Sequence, residues 1–297
     1  MPQLTLEPQN GYEHFLSDLD HHTFATRFNR APFMIGHHLA NHPLFDLSRL
    51  VELSQYLPEE SVEYNSGELP VSQDPNATPR NGLSVAETIE RIEHCNSWMV
   101  LKNVEQDPEY RDVLHDCLDE MWPLVDQVAP GMRVRQAFIF VSSAGSVTPF
   151  HIDPENNFLL QIRGNKRVQL FDAEDRFVMT EEQLEKFFTG AHRNMPYQPE
   201  FENRGTWYQL KPGDGLHFPV AAPHWVKNGS EVSISFSITF QTDSSQRRQS
   251  LHRWNNGMRR LGLNPRNVGQ RPWADELKFA AVRCGRLAKK LLGRQHD

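Results

Sequence analysis

Hydrophobic and polar residues alternate along much of the chain between about residue 133 and residue 240, with the period of two that is typical of β-strands. The alternation is complete in the segment 232–240, VSISFSITF, where Val, Ile and Phe share one face and Ser and Thr share the other. Other segments with strand character are RVRQAFIFVSS, NFLLQIRG, KRVQLF, TWYQL and GLHFPV. The dipeptide Gly164-Asn165 predicts a hairpin turn between two of them. This pattern predicts a barrel or sandwich with one packed face and one polar, inward face.

Helical patterns precede the β region. One helix is predicted to begin near Asp46 and to end before Pro58. Ser84 and Glu87 form a capping box that opens a second helix over 84–95.

A strand over 97–104 and a helix over 107–128 are predicted next, whereas 62–82 is rich in turn formers and reads as a loop. The helix over 107–128 places four apolar residues on one stripe that is expected to be buried, namely Leu114, Leu118, Met121 and Leu124. An amphipathic basic helix over 277–293 follows the β region.

These elements predict a mainly β fold with flanking helices in three parts. Residues 1–96 would form a mostly helical N-terminal cap and loop, residues 97–243 the β core, and residues 244–297 a basic helical tail.

Composition agrees with one catalytic-size domain, because 297 residues with 38% hydrophobic content can bury one large core. The start of the chain has no basic segment followed by an apolar run, and no stretch of about 18 apolar residues occurs, so we expect a cytoplasmic protein without a membrane span. Cys95, Cys117 and Cys284 are far apart and lack a CxxC spacing, which predicts neither disulfides nor a zinc knuckle.

Charge is unevenly distributed. From Arg247 onward there are thirteen Lys or Arg against three Asp or Glu, whereas the preceding residues have eighteen against thirty-five. The basic tail could bind an acidic partner such as RNA, its own acidic body, or a neighbouring subunit. We favour packing within the protein over nucleic-acid binding.

Candidate chemistry begins with the stretch TPFHIDPENN, residues 148–157. His151 and Asp153 stand two positions apart, so they point to the same side of an extended strand and can converge on one ion. About two such triplets would arise by chance in a chain of this composition, and a hydrogen-bonded strand end is the alternative.

His224, just after a Pro-containing turn, supplies a second imidazole. Two imidazoles and one carboxylate on one face of an octahedral ion leave three positions open, as in the facial triad of non-haem Fe(II) oxygenases. His217 is an alternative ligand, but its position inside a predicted strand favours packing in the core or contact with a metal ligand rather than with the metal.

Lys166 follows the Gly164-Asn165 turn, so its ammonium can extend back along the barrel interior. A cation there suits the distal carboxylate of a 2-oxo acid, with Thr148 as a hydroxyl partner. The alternative is a solvated lysine at the base of a hairpin.

The stretch SVTPFHIDPENNFLLQIRGNKRVQLF resembles the core of the Jumonji-C or cupin-like 2-oxoglutarate oxygenases, especially the asparaginyl hydroxylase of the hypoxia-inducible factor and its bacterial cupin-like relatives. The likeness extends over roughly residues 130–240. It includes Thr-Pro-x-His-x-Asp, an Asn six positions after the first ligand, a Gln-Ile-basic-Gly-x-Lys hairpin, and Gly-Asp, Phe-Pro and His in that order.

The resemblance implies a double-stranded β-helix, or cupin barrel, that binds Fe(II) and 2-oxoglutarate. By that resemblance the metal ligands are His151, Asp153 and His224, and the 2-oxoglutarate residues are Thr148, Lys166 and, at the metal end, Asn157.

Two positions depart from the family pattern. Ser237 stands where an Asn often assists 2-oxoglutarate, and Ala222-Pro223-His224-Trp225 replaces Trp-Trp-His at the third ligand. The shorter serine would leave room for water.

We therefore expect an Fe(II)- and 2-oxoglutarate-dependent dioxygenase that hydroxylates a protein side chain or a small molecule and releases succinate and CO2. The alternative is a cupin-like regulatory module that binds metal and ligand without catalysis. A homodimer is a further expectation, through a seam of tail residues Leu277, Ala281, Ala288, Leu291 and Leu292.

Overall fold

The computed structural model describes residues 14–293, and it describes side chains as far as residue 285. Three residues of the expected dimer seam, Ala288, Leu291 and Leu292, therefore lie outside the described side chains.

Antiparallel strands form two sheets within this part of the chain. The strands are β1 (Leu16–Ser17), β2 (Phe33–His37), β3 (Val62–Ser66), β4 (Ser97–Lys102), β5 (Arg133–Ser142), β6 (Val147–His151), β7 (Asn156–Arg163), β8 (Lys166–Leu170), β9 (Thr206–Leu210), β10 (Asp214–Phe218), β11 (His224–Asn228) and β12 (Ser233–Gln241).

The larger sheet has the order β1-β2-β10-β7-β12-β5-β4-β3, and the smaller has the order β6-β11-β8-β9. From β5 to β12 the chain crosses repeatedly from one sheet to the other, and only the β8–β9 pair stays within the small sheet. This winding produces a double-stranded β-helix, and it confirms the predicted mainly β fold with flanking helices.

The alternation in β12 separates two environments, as the sequence predicts. Ile234, Phe236 and Ile238 belong to the large core between the eight-stranded sheet and the helices. Ser235 and Ser237 are buried on the opposite face, toward the small sheet, so that face lines a polar interior.

The helices are α1 (His21–Arg27), α2 (Leu47–Tyr56), α3 (Val85–Glu90), α4 (Pro108–Val128), α5 (Glu181–Phe187), α6 (Asp243–Arg260) and α7 (Pro272–Gly293). The predicted α2 and α4 are confirmed, with Asp46 and Asp107 as their N-terminal cap residues. The predicted stripe on α4 is also confirmed, because Leu114, Leu118 and Met121 are fully buried.

Two local predictions require correction, and one helix was not predicted. The capping box at Ser84 and Glu87 exists, but α3 ends at Glu90 because Arg91 leaves helical geometry, with φ −103° and ψ 13°. Residues 62–66 of the predicted loop form β3, because pairing with β4 satisfies their backbone groups. The helix α5 was missed although Thr180 and Gln183 form its capping box.

The N-terminal residues that the structure describes form strands as well as the expected helices. β2 pairs with β10, and β1 pairs with β2, so this segment extends the large sheet at one edge. The division of the chain at residues 96 and 243 stays a prediction.

The basic tail contacts the acidic body of the same chain. Arg248 pairs with Glu174, and Arg259 Nε lies 2.7 Å from Glu185 Oε2 on α5. These ion pairs agree with the favoured interpretation of the charge asymmetry. Within residues 14–293, no helix has the length and apolarity needed to span a membrane.

Candidate metal centre

Three predicted ligands meet at one end of the small sheet. His151 ends β6 and lies directly opposite His224, the first residue of β11, in the antiparallel register. Asp153 Oδ2 lies 3.6 Å from Nε2 of each histidine, and one ligand atom from each of the three residues falls within 4.8 Å of the others. Among the side chains that the structure describes, this is the only such group of three or more His, Cys, Asp or Glu residues.

The two imidazoles are held in the same way by the backbone. His151 Nδ1 lies 2.7 Å from the carbonyl oxygen of Pro149, and His224 Nδ1 lies 2.9 Å from that of Ala222. Since a carbonyl oxygen only accepts hydrogen bonds, each ring carries its proton on Nδ1. The Nε2 lone pairs are then available to a metal ion.

A tight turn before β11 sets the position of the third ligand. Ala221 adopts a left-handed conformation with φ 59°, and its N–H donates to the carbonyl oxygen of Asp153 at 2.9 Å. A residue with a Cβ adopts this left-handed conformation only at a cost in conformational free energy, which the surrounding hydrogen bonds must offset. The turn therefore connects the loop after β6 to the start of β11.

The electrostatics favour the charge states that metal ligands need. Burial lowers the pKa of His224 to about 3, with a smaller contribution from His151, so the ring is neutral near pH 7. Burial alone would raise the pKa of Asp153, but His151, Arg193 and His224 together lower it below its ordinary value. Two imidazoles and one carboxylate fit an octahedral divalent cation such as Fe(II).

Lys166 faces the same interior. In the pairing of β8 with β11, Leu170 lies opposite His224 and Lys166 opposite Asn228, so alternate residues place Lys166 on the ligand face. The side chain is buried, with 4% exposure, and no hydrogen bond or ion pair to its ammonium occurs among the described residues. Burial lowers its pKa to about 7.

Thr148 reaches this face through a β-bulge. Three residue steps separate Thr148 from His151 on β6, but their partners Val226 and His224 are only two steps apart on β11. The extra residue turns Thr148 to the side of His151. The indole Nε1–H of Trp98 donates to Thr148 Oγ1 at 3.0 Å, which leaves the threonine proton free to donate elsewhere.

Asn157 and Ser237 meet on the large sheet. Ser237 Oγ donates to Asn157 Oδ1 at 2.8 Å, and both side chains are buried. The structure thus brings Ser237, one of the two positions that depart from the family pattern, next to Asn157.

His217 lies on the other side of the large sheet. Its ring stacks on Phe28 at 4.9 Å, and its Nε2 accepts from the Asn29 N–H at 3.1 Å. The alternation of β10 directs His217 into the core between the sheet and the helices, so it does not join the three ligands.

Two neighbours of the site were missed in the sequence. Trp98 could have been found, because alternation along SWMVLKNV predicts which residues face the interior. Arg193 had no such signal: it lies in the loop after α5, and its Nη1 donates to Asp153 Oδ1 at 3.1 Å only through the tertiary fold.

Comparison with known proteins gives a match to one family model. Residues 60–246 match the model described as Cupin-like domain.

Two sequence relatives are Lysine-specific demethylase 8 of Danio rerio and of Xenopus tropicalis. The first is 31% identical over 102 residues, which make up 32% of this chain and 24% of that protein. The second is 30% identical over 108 residues, which make up 33% of this chain and 23% of that protein. The chain thus spans about a quarter of the length of these curated relatives.

Among solved structures, the X-ray structure of YcfD from E. coli aligns with 87% of this chain and 62% of its own, with a TM-score of 0.52 and 18% sequence identity. This similarity agrees with the cupin-type fold described above.

Proposed function

Because the chain belongs to the cupin-like domain family, we propose that it is an Fe(II)- and 2-oxoglutarate-dependent oxygenase. What supports this function most is the convergence of His151, Asp153 and His224 at one end of a barrel whose interior also holds the buried ammonium of Lys166, which has no ion-pair partner among the described residues.

The chain's own residues would bind and orient both cofactors. Nε2 of His151, Nε2 of His224 and Oδ2 of Asp153 hold Fe(II). When bound, Fe(II) supplies the redox chemistry that couples decarboxylation of 2-oxoglutarate to succinate and CO2 with hydroxylation of a substrate.

Binding of 2-oxoglutarate involves both sheets. The Lys166 ammonium and the Thr148 hydroxyl, whose oxygen already accepts from Trp98, bind the distal carboxylate by charge-assisted hydrogen bonds. Asn157, oriented by Ser237, contacts the metal end of the same molecule. Lys166, Asn157 and Ser237 are buried, which excludes bulk water and strengthens their contacts.

For the substrate we propose a protein side chain. Support comes from the relatives, since a lysine-specific demethylase acts on a protein residue. A small molecule is the competing substrate, and peptide and metabolite profiling of wild type against a His224 variant would separate the two.

Two further proposals concern the location of the protein in the cell and its oligomeric state. A cytoplasmic location is supported by Cys95, Cys117 and Cys284, all of which are free thiols. A homodimer is supported by exposed apolar side chains in the tail, where Trp273 is 62% and Leu277 is 65% exposed. Nucleic-acid binding by the tail is not favoured, because several of its arginines already pair with carboxylates.

Replacing a ligand tests the activity directly. His151→Ala and Asp153→Ala should each abolish iron-dependent formation of succinate from 2-oxoglutarate, measured with and without a peptide library, since each removes one of three metal ligands. His94→Ala is the control, because His94 is an exposed histidine away from the three ligands.

Undiminished turnover in the ligand variants would refute the proposed oxygenase. If wild-type protein binds Fe(II) and 2-oxoglutarate but consumes neither oxygen nor 2-oxoglutarate with any substrate offered, the regulatory module replaces it.

A further inference from the structure

Arg193 is fixed beside the metal ligands by backbone pairing. Its carbonyl oxygen accepts from the Ile152 N–H at 3.2 Å, Asn194 forms an isolated antiparallel bridge with His151, and the Met195 N–H donates to the Phe150 carbonyl at 2.9 Å. The loop after α5 thus acts as a short extra strand along β6. This register holds the Arg193 side chain next to Asp153.

The two oxygens of Asp153 have different partners. Oδ2 is the oxygen that lies 3.6 Å from both imidazole Nε2 atoms, whereas Oδ1 accepts from Arg193 Nη1 at 3.1 Å. The Asp153 side chain is 20% exposed, so this pair is only partly screened by water.

We infer that Arg193 is a positioning residue that keeps Asp153 as a ligand through one oxygen, by holding Oδ1 away from the metal side. This inference rests on the proposed function and deepens it. A carboxylate that offers only one oxygen leaves three positions of an octahedral ion open for 2-oxoglutarate and oxygen, whereas one that swings to offer both takes one of them.

The positive charge of Arg193, taken alone, would lower metal affinity, whereas its positioning of Asp153 would raise it. A cation near a divalent ion repels it, so removing only that charge would strengthen metal binding. Loss of orientation of a metal ligand typically weakens affinity about 10- to 100-fold. The sign of the change in affinity therefore separates positioning from simple electrostatics.

The experiment is calorimetric titration of metal-free protein with Co(II). Arg193→Gln should weaken Co(II) binding about tenfold or more, and Arg193→Lys should recover most of that loss because it keeps a donor for Oδ1. Arg204→Gln is the matched control: Arg204 is a half-exposed arginine, with 45% side-chain exposure against 38% for Arg193, and it pairs with Asp175 rather than with a predicted metal ligand. Its Co(II) affinity should equal that of the wild type.

A double-mutant cycle tests whether Arg193 acts through Asp153. In an Asp153→Ala background, Arg193→Gln should no longer weaken Co(II) binding, because only the loss of charge repulsion remains, whereas a general loss of structure would weaken binding in both backgrounds. Equal thermal unfolding of the metal-free variants verifies that the fold survives, and if Arg193→Gln does not fold, the same comparison is made with Arg193→Met.

The outcomes are distinct. Arg193 variants that bind Co(II) as tightly as the wild type, or more tightly, overturn the positioning role and leave the proposed function intact. Failure of the wild type itself to bind Co(II) defeats the proposed function.

Discussion

At the scale of single residues, the most costly feature of the site is the buried ammonium of Lys166. It is 4% exposed, and its pKa is lowered to about 7 by burial alone. An ion without a counterion in a dry interior opposes folding. A site that needs the charge to bind a dianion gives a physical reason to retain it.

Lys166→Met should weaken binding of 2-oxoglutarate to the Co(II)-loaded protein about 10- to 100-fold, because a hydrogen bond to a charged group contributes about 1.5–3 kcal/mol. Co(II) affinity should not fall, since Lys166 is not a metal ligand. The ligand-free variant should also unfold at a higher temperature than the wild type at pH 7, because a buried charge is replaced by an apolar side chain of similar length. Titration calorimetry measures the two affinities and scanning calorimetry measures the unfolding temperature, and unaltered 2-oxoglutarate affinity would contradict the assigned role.

The same lysine predicts a pH dependence of binding. Its pKa in the free protein is about 7, so the amine is increasingly neutral above that pH. The bound carboxylate favours the ammonium, so binding above pH 7 must take up a proton. The dissociation constant for 2-oxoglutarate should therefore rise toward about tenfold per pH unit above 7 and be flat below it. Titrations between pH 6 and pH 9 measure this, and Lys166→Met, which cannot take up that proton, should remove the rise.

At the scale of elements, sequence reasoning succeeded where alternation is uninterrupted. β5, β7, β8, β9, β10 and β12 were predicted because their residues alternate between a packed face and an inner face. Of the two strands that carry the histidine ligands, β11 was not identified as a strand, and the strand expected through His151 and Asp153 is β6, which ends at His151. A β-bulge interrupts the period of β6, and β11 follows directly on the turn with left-handed Ala221, so pairing with each other, rather than local pattern, defines them.

Prediction of the candidate site from the sequence meets the same limit. Motif spacing brought His151, Asp153 and His224 together as candidates, and the structure brings the same three together. The contact of Arg193 with Asp153 could not be predicted, because it depends on how the loop after α5 aligns with β6, and loop backbones follow tertiary contacts rather than periodicity.

The ion pair between α5 and α6 leads to a prediction about the stability of the protein. Glu185 is completely buried, and its Oε2 is paired with Arg259 Nε at 2.7 Å, while its Oε1 has no hydrogen-bond partner among the described residues. Arg259→Ala would leave a buried carboxylate without its cation and should lower the free energy of unfolding by about 3 kcal/mol. Urea unfolding measures the loss.

The neighbouring Arg260→Ala is the control, because Arg260 is exposed, and it should be within about 0.5 kcal/mol of the wild type. Adding Glu185→Leu to Arg259→Ala should recover stability, since the unpaired charge is then removed. If Arg259→Ala unfolds like the wild type, the ion pair does not stabilise the junction.

At the scale of the whole molecule, α6 is part of the body rather than a free tail. Its side chains Gln249, Leu251 and His252 are buried, and Gln249 Nε2 donates to the Pro154 carbonyl at 2.9 Å, one residue beyond the ligand Asp153. A truncation inside α6 would therefore disturb the candidate metal centre as well as any interface.

The dimer proposal is better tested by deleting only residues 272–297, which removes α7 and keeps α6. Because Trp273 and Leu277 expose much of their apolar surface in one chain, a second chain can bury it, and the full-length protein should have twice the mass of one chain in light scattering. Both the deletion and Leu277→Asp should give monomers.

Tyr56→Asp is the matched control, since Tyr56 is 60% exposed on α2, away from the tail, and that variant should stay dimeric. A full-length monomer, or a deletion that remains a dimer, would contradict the seam, whereas retained Co(II) binding by the deletion would show that the candidate metal centre does not depend on α7.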